Sequence, residues 1–220
     1  MNLIASLAWV ILLVAASLLV VTLSWRLRIA ALAVQYVCVA VLLTQIVIWQ
    51  VAVVRLVAGA GIVGILVITG RELTGAFPWE RHAASSPGGA ASPLLVLTAL
   101  WKGQFSADFP FRAVAVGMAI VAAASLAGQS NVLLPDLPPG LKMAGYLLCG
   151  LGLFSLGLSE EPWRAGLSLL TLLSGFELLY VAVESSLAIV ALLAVVDFAV
   201  ALAMSYLALV NTAGRKEPPA

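Results

Sequence analysis

Seven apolar runs, each about as long as a bilayer's hydrocarbon core is thick, leave this chain few choices of fold. A core of about 30 Å takes a helix of roughly 20 apolar residues to cross it. The runs cover approximately residues 3–24, 28–43, 46–70, 112–129, 141–158, 165–183 and 187–210. In lipid every backbone N–H and C=O must be satisfied within the protein, so runs of this length become helices. The expected class is an all-α membrane protein with about seven transmembrane helices. Composition agrees, with 63% of the 220 residues hydrophobic and 10% charged, against about a quarter charged in a soluble domain. A formal net charge of +1 and the lack of a basic tract give no case for nucleic-acid binding. The first run is longer than a signal-peptide core and has no basic leader, so it is expected to stay in the membrane.

The breaks between runs organise the chain. Ser24-Trp25-Arg26-Leu27-Arg28 and Ser159-Glu160-Glu161-Pro162-Trp163-Arg164 are expected to be polar turns with an interfacial tryptophan, and Thr44-Gln45 and Glu184-Ser185-Ser186 tighter ones. Residues 131–140, with Pro135, Pro138 and Pro139, read as a plain loop. Basic residues mark the cytoplasmic side of a membrane protein. With the N-terminus outside, Arg26, Arg28, Arg71, Arg81, Lys102, Arg112, Arg164, Arg215 and Lys216 all fall inside, against Lys142 alone outside. The expected orientation is N-terminus out, C-terminus cytoplasmic. The units are then an N-terminal three-helix unit (1–70), an inner loop (71–111), a linker helix with an outer loop (112–140), a second three-helix unit (141–211) and a cytoplasmic tail (212–220). Within the inner loop, 94–101 is apolar but too short to span, which suggests an interfacial or re-entrant helix. The single histidine, His82, lies in the same loop and reads as a solvated side chain.

Glu177 and Asp197 lie deep in two consecutive apolar runs. A charged side chain at the centre of a membrane helix costs about 2.5–3.5 kcal/mol on the lenient insertion scale, so such residues usually have a function. Thr171, Ser174, Glu177, Tyr180 and Glu184 recur every three or four residues, which predicts one polar face turned towards other helices or internal water. Asp197 is followed two turns later by Ser205. Acids flanked by hydroxyls suit a proton relay, which needs groups that change protonation within hydrogen-bond reach; the competing reading is a structural role in bonds across helices. Arg55 does not deprotonate in proteins, so it is either a fixed counter-charge or a side chain that snorkels to the outer surface; about ten residues past the Thr44-Gln45 turn, pairing with an acid, here or in a partner subunit, is the favoured expectation.

Shifting the chain by 142 residues lays Val39-Ala40-Val41 on Val181-Ala182-Val183 and Val53-Val54 on Val195-Val196. Gln35 then meets Glu177, and Arg55 meets Asp197, which suggests two related three-helix units joined by a loop and one extra helix. Gly59-Ala60-Gly61-Ile62-Val63-Gly64 satisfies G-x-G-x-x-G, but a dinucleotide site needs a strand and a soluble βαβ unit. Inside a membrane helix these glycines suit close packing or a kink. Cys38 and Cys149 show no metal or redox spacing and read as small buried hydrophobes.

Residues 141–210 resemble the three-helix K-type subunit of respiratory complex I. The turn ending in Arg164, the run Gly175-Phe176-Glu177 and the second acid Asp197 carry the likeness. With three further helices upstream and the opening Val21-Thr22-Leu23-Ser24-Trp25-Arg26-Leu27-Arg28, the chain is similar to the E component of hydrogenase-4 and formate hydrogenlyase type complexes. The resemblance implies a subunit that is non-catalytic alone, in a bacterial or archaeal inner membrane, within an energy-converting complex. Its partners would be the lipid bilayer and antiporter-like and hydrogenase- or complex I-like subunits, with redox cofactors on those neighbours and none in this chain. Glu177, Asp197, Glu184, Tyr180 and Ser174 would then belong to a proton path, with Arg55 and Gln35 as pairing residues.

Overall fold

Each apolar run becomes a helix in the computed structural model, which describes residues 3–21, 25–44, 49–76, 109–129, 138–159, 161–183 and 186–214. In chain order these are α1 (Leu3–Val21), α2 (Trp25–Leu43), α3 (Trp49–Ala76), α4 (Phe109–Gln129), α5 (Pro139–Gly157), α6 (Pro162–Val183) and α7 (Leu187–Gly214). Six are long and apolar enough to cross a membrane, and α1 contributes a shorter apolar stretch. The protein is an all-α integral membrane protein. The 94–101 segment, His82 and the Glu184-Ser185 part of a predicted turn lie outside the described residues.

The helix ends differ from the sequence expectation in an instructive way. Trp25 to Arg28 and Pro162 to Arg164 form the first turns of α2 and α6, not loops. At helix N-termini the first N–H groups need no helical partner, so polar and proline residues are accommodated there. Pro139 similarly starts α5, with Pro138 at φ −57° and ψ 135° as its cap, so Pro139 and Gly140, which read as loop from composition, are helical; residues 131–137 lie outside the described residues. α3 continues past Arg71 and Glu72 to Ala76, because leaving the hydrocarbon does not end a helix whose backbone bonds can still form.

Packing repeats in the two halves. α2 lies between α1 and α3, and α6 lies between α5 and α7. Across the halves α1 packs on α5, α2 on α6 and α3 on α7, while α4 flanks α1 and α5. Every cross-pair joins helices that the 142-residue shift makes equivalent. Close approach relies on glycine at several interfaces, two of which show it most plainly. A Cβ on Gly152 would stand 2.6 Å from the Leu172 backbone nitrogen, and one on Gly61 would stand 2.5 Å from Cζ of Phe198. Contacts this close are what bring helices together in lipid, where no hydrophobic force acts between them. Gly61 thus serves α3–α7 packing and Gly59 abuts the Tyr36 ring, whereas Gly64 meets nothing within 4 Å.

Two buried apolar clusters fill the bundle. One contains Leu12, Leu42, Val51, Leu147, Leu178 and Val190; the other contains Leu19, Ile29, Ile62, Leu66, Leu170 and Ala201. On α3, α6 and α7 the charged residue falls between a member of one cluster and a member of the other. Arg55, Glu177 and Asp197 therefore lie between two apolar layers.

Candidate ion-pair site inside the bundle

Arg55 is 1% exposed, although it extends from a helix with valine and leucine on both sides. α2, α3, α6 and α7 together supply its surroundings. Nη1 donates to Oδ2 of Asp197 at 2.6 Å and also meets Oε2 of Glu177. Nη2 donates to Oγ of Ser174 at 3.0 Å, and Ser174 passes its own hydroxyl hydrogen to the Leu170 carbonyl at 2.8 Å. The guanidinium lies 4.7 Å from the centroid of the Tyr36 ring, a cation–π contact worth up to about 2 kcal/mol when desolvated. Tyr36 completes the set by donating its hydroxyl to Oδ2 of Asp197 at 3.3 Å.

Depth follows from helix rise. At 1.5 Å per residue, Arg55 lies about 9 Å from the start of α3, Glu177 about 9 Å from the end of α6 and Asp197 about 15 Å from the start of α7. All three lie inside helices long and apolar enough to cross a membrane, displaced towards the end of the bundle where α3 and α7 begin.

Charge and hydrogen bonding are both unbalanced here. Among the described residues the site holds one guanidinium and two carboxyl groups. Oε1 of Glu177, Oδ1 of Asp197 and Nε of Arg55 are buried without a hydrogen-bond partner, as are both amide atoms of Gln35 and Oγ of Ser205. Buried polar atoms are nearly always paired, so the three unpartnered atoms of Arg55, Glu177 and Asp197 set this cluster apart from the rest of the bundle. No three His, Cys, Asp or Glu side chains gather into a possible metal site among the described residues.

The predicted site residues divide. Ser174, Glu177, Asp197 and Arg55 meet in one cluster, and Arg55 finds both acids in its own chain rather than in a partner. Gln35 is fully buried on α2 beside Tyr36, but its amide forms no hydrogen bond. Glu184 lies outside the described residues. Tyr180 does not share the polar face: it is 38% exposed and stacks on Phe176, ring centroids 5.6 Å apart. The cause is helical drift. A step of three residues advances about 300°, so each step lags about 60° and Tyr180 ends about 180° from Thr171. Tyr36 was missed by the sequence reading; its signal is a hydroxyl next to Gln35 within an apolar helix.

No protein-family model, curated protein or solved structure matches this chain.

Proposed function

We propose that this chain is a membrane subunit of an energy-converting complex of respiratory or hydrogenase type, and that Arg55, Glu177 and Asp197 form an exchangeable-proton station in it. The observation that carries the proposal is the shared nitrogen: two buried carboxyl groups converge on Nη1 of a single arginine. One guanidinium offsets one carboxylate, and a second uncompensated charge at this depth costs several kcal/mol. A proton removes that charge. Because both acids abut the same nitrogen, the proton has two nearly equivalent places to rest, as a relay requires. The hydroxyls of Tyr36 and Ser174 extend the polar set on either side of the guanidinium.

A second reading has its own support. Arg55 links α3 to α6 and α7 through its two nitrogens, as a lock in a structural subunit would. A stand-alone transporter fits less well, since α3 and α7 run unbroken past the cluster and transport sites typically use discontinuous helices. Valine, leucine and aromatic side chains such as Val114, Val121, Leu192, Val195 and Tyr206 remain outside the bundle, where lipid or larger subunits would cover them.

Isolation from native membranes in mild detergent tests the assignment. The expected result is co-purification with antiporter-like and hydrogenase- or complex I-like subunits. A monodisperse small oligomer of this chain alone would refute the complex.

A further inference from the structure

The two acids that share Nη1 of Arg55 do not have the same surroundings. Oδ2 of Asp197 accepts two hydrogen bonds, from Arg55 Nη1 at 2.6 Å and from the Tyr36 hydroxyl at 3.3 Å. Oε2 of Glu177 meets the same Nη1, and its Oε1 is buried without a partner. Ser174 does not separate the two acids: it accepts from Nη2 of Arg55 and gives its own hydrogen to the Leu170 carbonyl. Among the described residues the Tyr36 hydroxyl is therefore the one donor that tells Asp197 from Glu177.

Tyr36 is held where it can do this. It is buried on α2, and α3 presents Arg55 and Gly59 to it one turn apart. The guanidinium lies 4.7 Å from the ring centroid, and a Cβ on Gly59 would stand 2.9 Å from the ring carbons Cγ and Cδ1. A ring seated against both leaves its hydroxyl aimed at Asp197. Donors to the ionised form of a carboxyl favour ionisation, and such charge-assisted bonds are stronger than neutral ones. With one guanidinium for two acids, the negative charge settles on the acid with two donors. The proton stays on the acid with one.

We propose that Tyr36 is a positioning residue of the proton station: its hydroxyl fixes Asp197 as the standing counter-ion of Arg55 and leaves the exchangeable proton on Glu177. The inference rests on reading the cluster as a proton station. Glu177 is then the acid that takes up and releases the proton, and Asp197 holds it only in passing. A contact of 3.3 Å is long for an O–H donor, so the preference for Glu177 is set at about tenfold, the lower end for a bond to a charged group. A bias of that size keeps the resting state defined and still lets the proton cross to Asp197.

Infrared absorption of the purified full chain in detergent at neutral pH supplies the test, because a protonated carboxyl absorbs apart from a carboxylate. The chain is made with a heavy-carbon label in the side-chain carboxyl of either glutamate or aspartate. The station's protonated-carboxyl band is expected to vanish in Glu177→Gln and in Asp197→Asn, where the remaining acid ionises against Arg55. In the wild type the band should shift with the glutamate label, and no more than about a tenth of it with the aspartate label. Tyr36→Phe keeps the ring against Arg55 and Gly59 and is expected to fold. In it the share that follows the aspartate label should rise about fivefold, towards equal sharing. A tyrosine with a structural role alone would lower the unfolding midpoint and leave that share unchanged. A wild-type band that follows the aspartate label, or an unchanged share in Tyr36→Phe, would overturn the role of Tyr36 while the station stands. A chain with no protonated-carboxyl band from Glu177 or Asp197 would overturn the station as well.

Discussion

Removing the Arg55 guanidinium should be among the costliest single side-chain changes in the bundle. Arg55→Leu keeps the bulk of the stem but deletes the contacts to Asp197, Glu177 and Ser174 and the stacking on Tyr36. Two buried carboxyl groups are left without a counter-charge. Breaking a buried pair this way costs about 3–5 kcal/mol, a large share of a typical stability of about 5–15 kcal/mol. The acids behave differently, because either one can balance Arg55 alone. Glu177→Gln and Asp197→Asn should each cost no more than about 1–2 kcal/mol, while the double variant leaves Arg55 unpaired and should cost about 3–5 kcal/mol. Arg55→Leu combined with both amides restores neutrality and should recover at least half of the Arg55→Leu loss. Denaturant unfolding of the purified variants in detergent gives all five free energies, and the cycle isolates the coupling. Additive acid substitutions, or no recovery in the triple variant, would refute the shared-counter-charge account.

Other expectations follow from the same geometry. Gly61→Ala should destabilise by about 1–3 kcal/mol through its clash with Phe198, whereas Gly64→Ala, facing open space, should be neutral; equal effects in an unfolding assay would refute the α3–α7 contact. Tyr36→Phe removes only the hydroxyl bond to Asp197 and should cost about 0.5–1.5 kcal/mol, with Tyr36→Leu costing more because the cation–π contact goes too. In a background with Cys38 and Cys149 replaced by alanine, Asn131→Cys should be labelled from outside by an impermeant maleimide and Ser86→Cys should not; the reverse pattern would invert the expected topology.

The helical membrane fold was legible because lipid leaves the backbone one economical solution, and run length then sets the helices. The two acids were legible because charge is costly in that setting. Their arrangement was not. Nothing along the chain states that α3 packs on α7, so Arg55 could be assigned an acid but not these acids. The 142-residue shift did align Arg55 with Asp197, yet alignment marks equivalent positions, and only packing across the two halves makes equivalents touch. Tyr180 failed for a simpler reason: intervals of three drift around a helix, and a face inferred over nine residues no longer exists. Tyr36 was hidden because one tyrosine among valines and alanines looks like core until its hydroxyl is seen to reach Asp197.

Proton movement itself is the most direct test of the central claim. The intact assembly is reconstituted into vesicles with a pH-sensitive dye, and coupled proton translocation is compared between wild type, Glu177→Gln and Asp197→Asn, each first shown to be fully assembled. Glutamine and asparagine preserve shape and hydrogen bonding but carry no exchangeable acid proton. The account predicts that Glu177→Gln abolishes or strongly reduces translocation and that Asp197→Asn does so less severely. Normal translocation by both assembled variants would contradict it and leave the cluster a lock between helices.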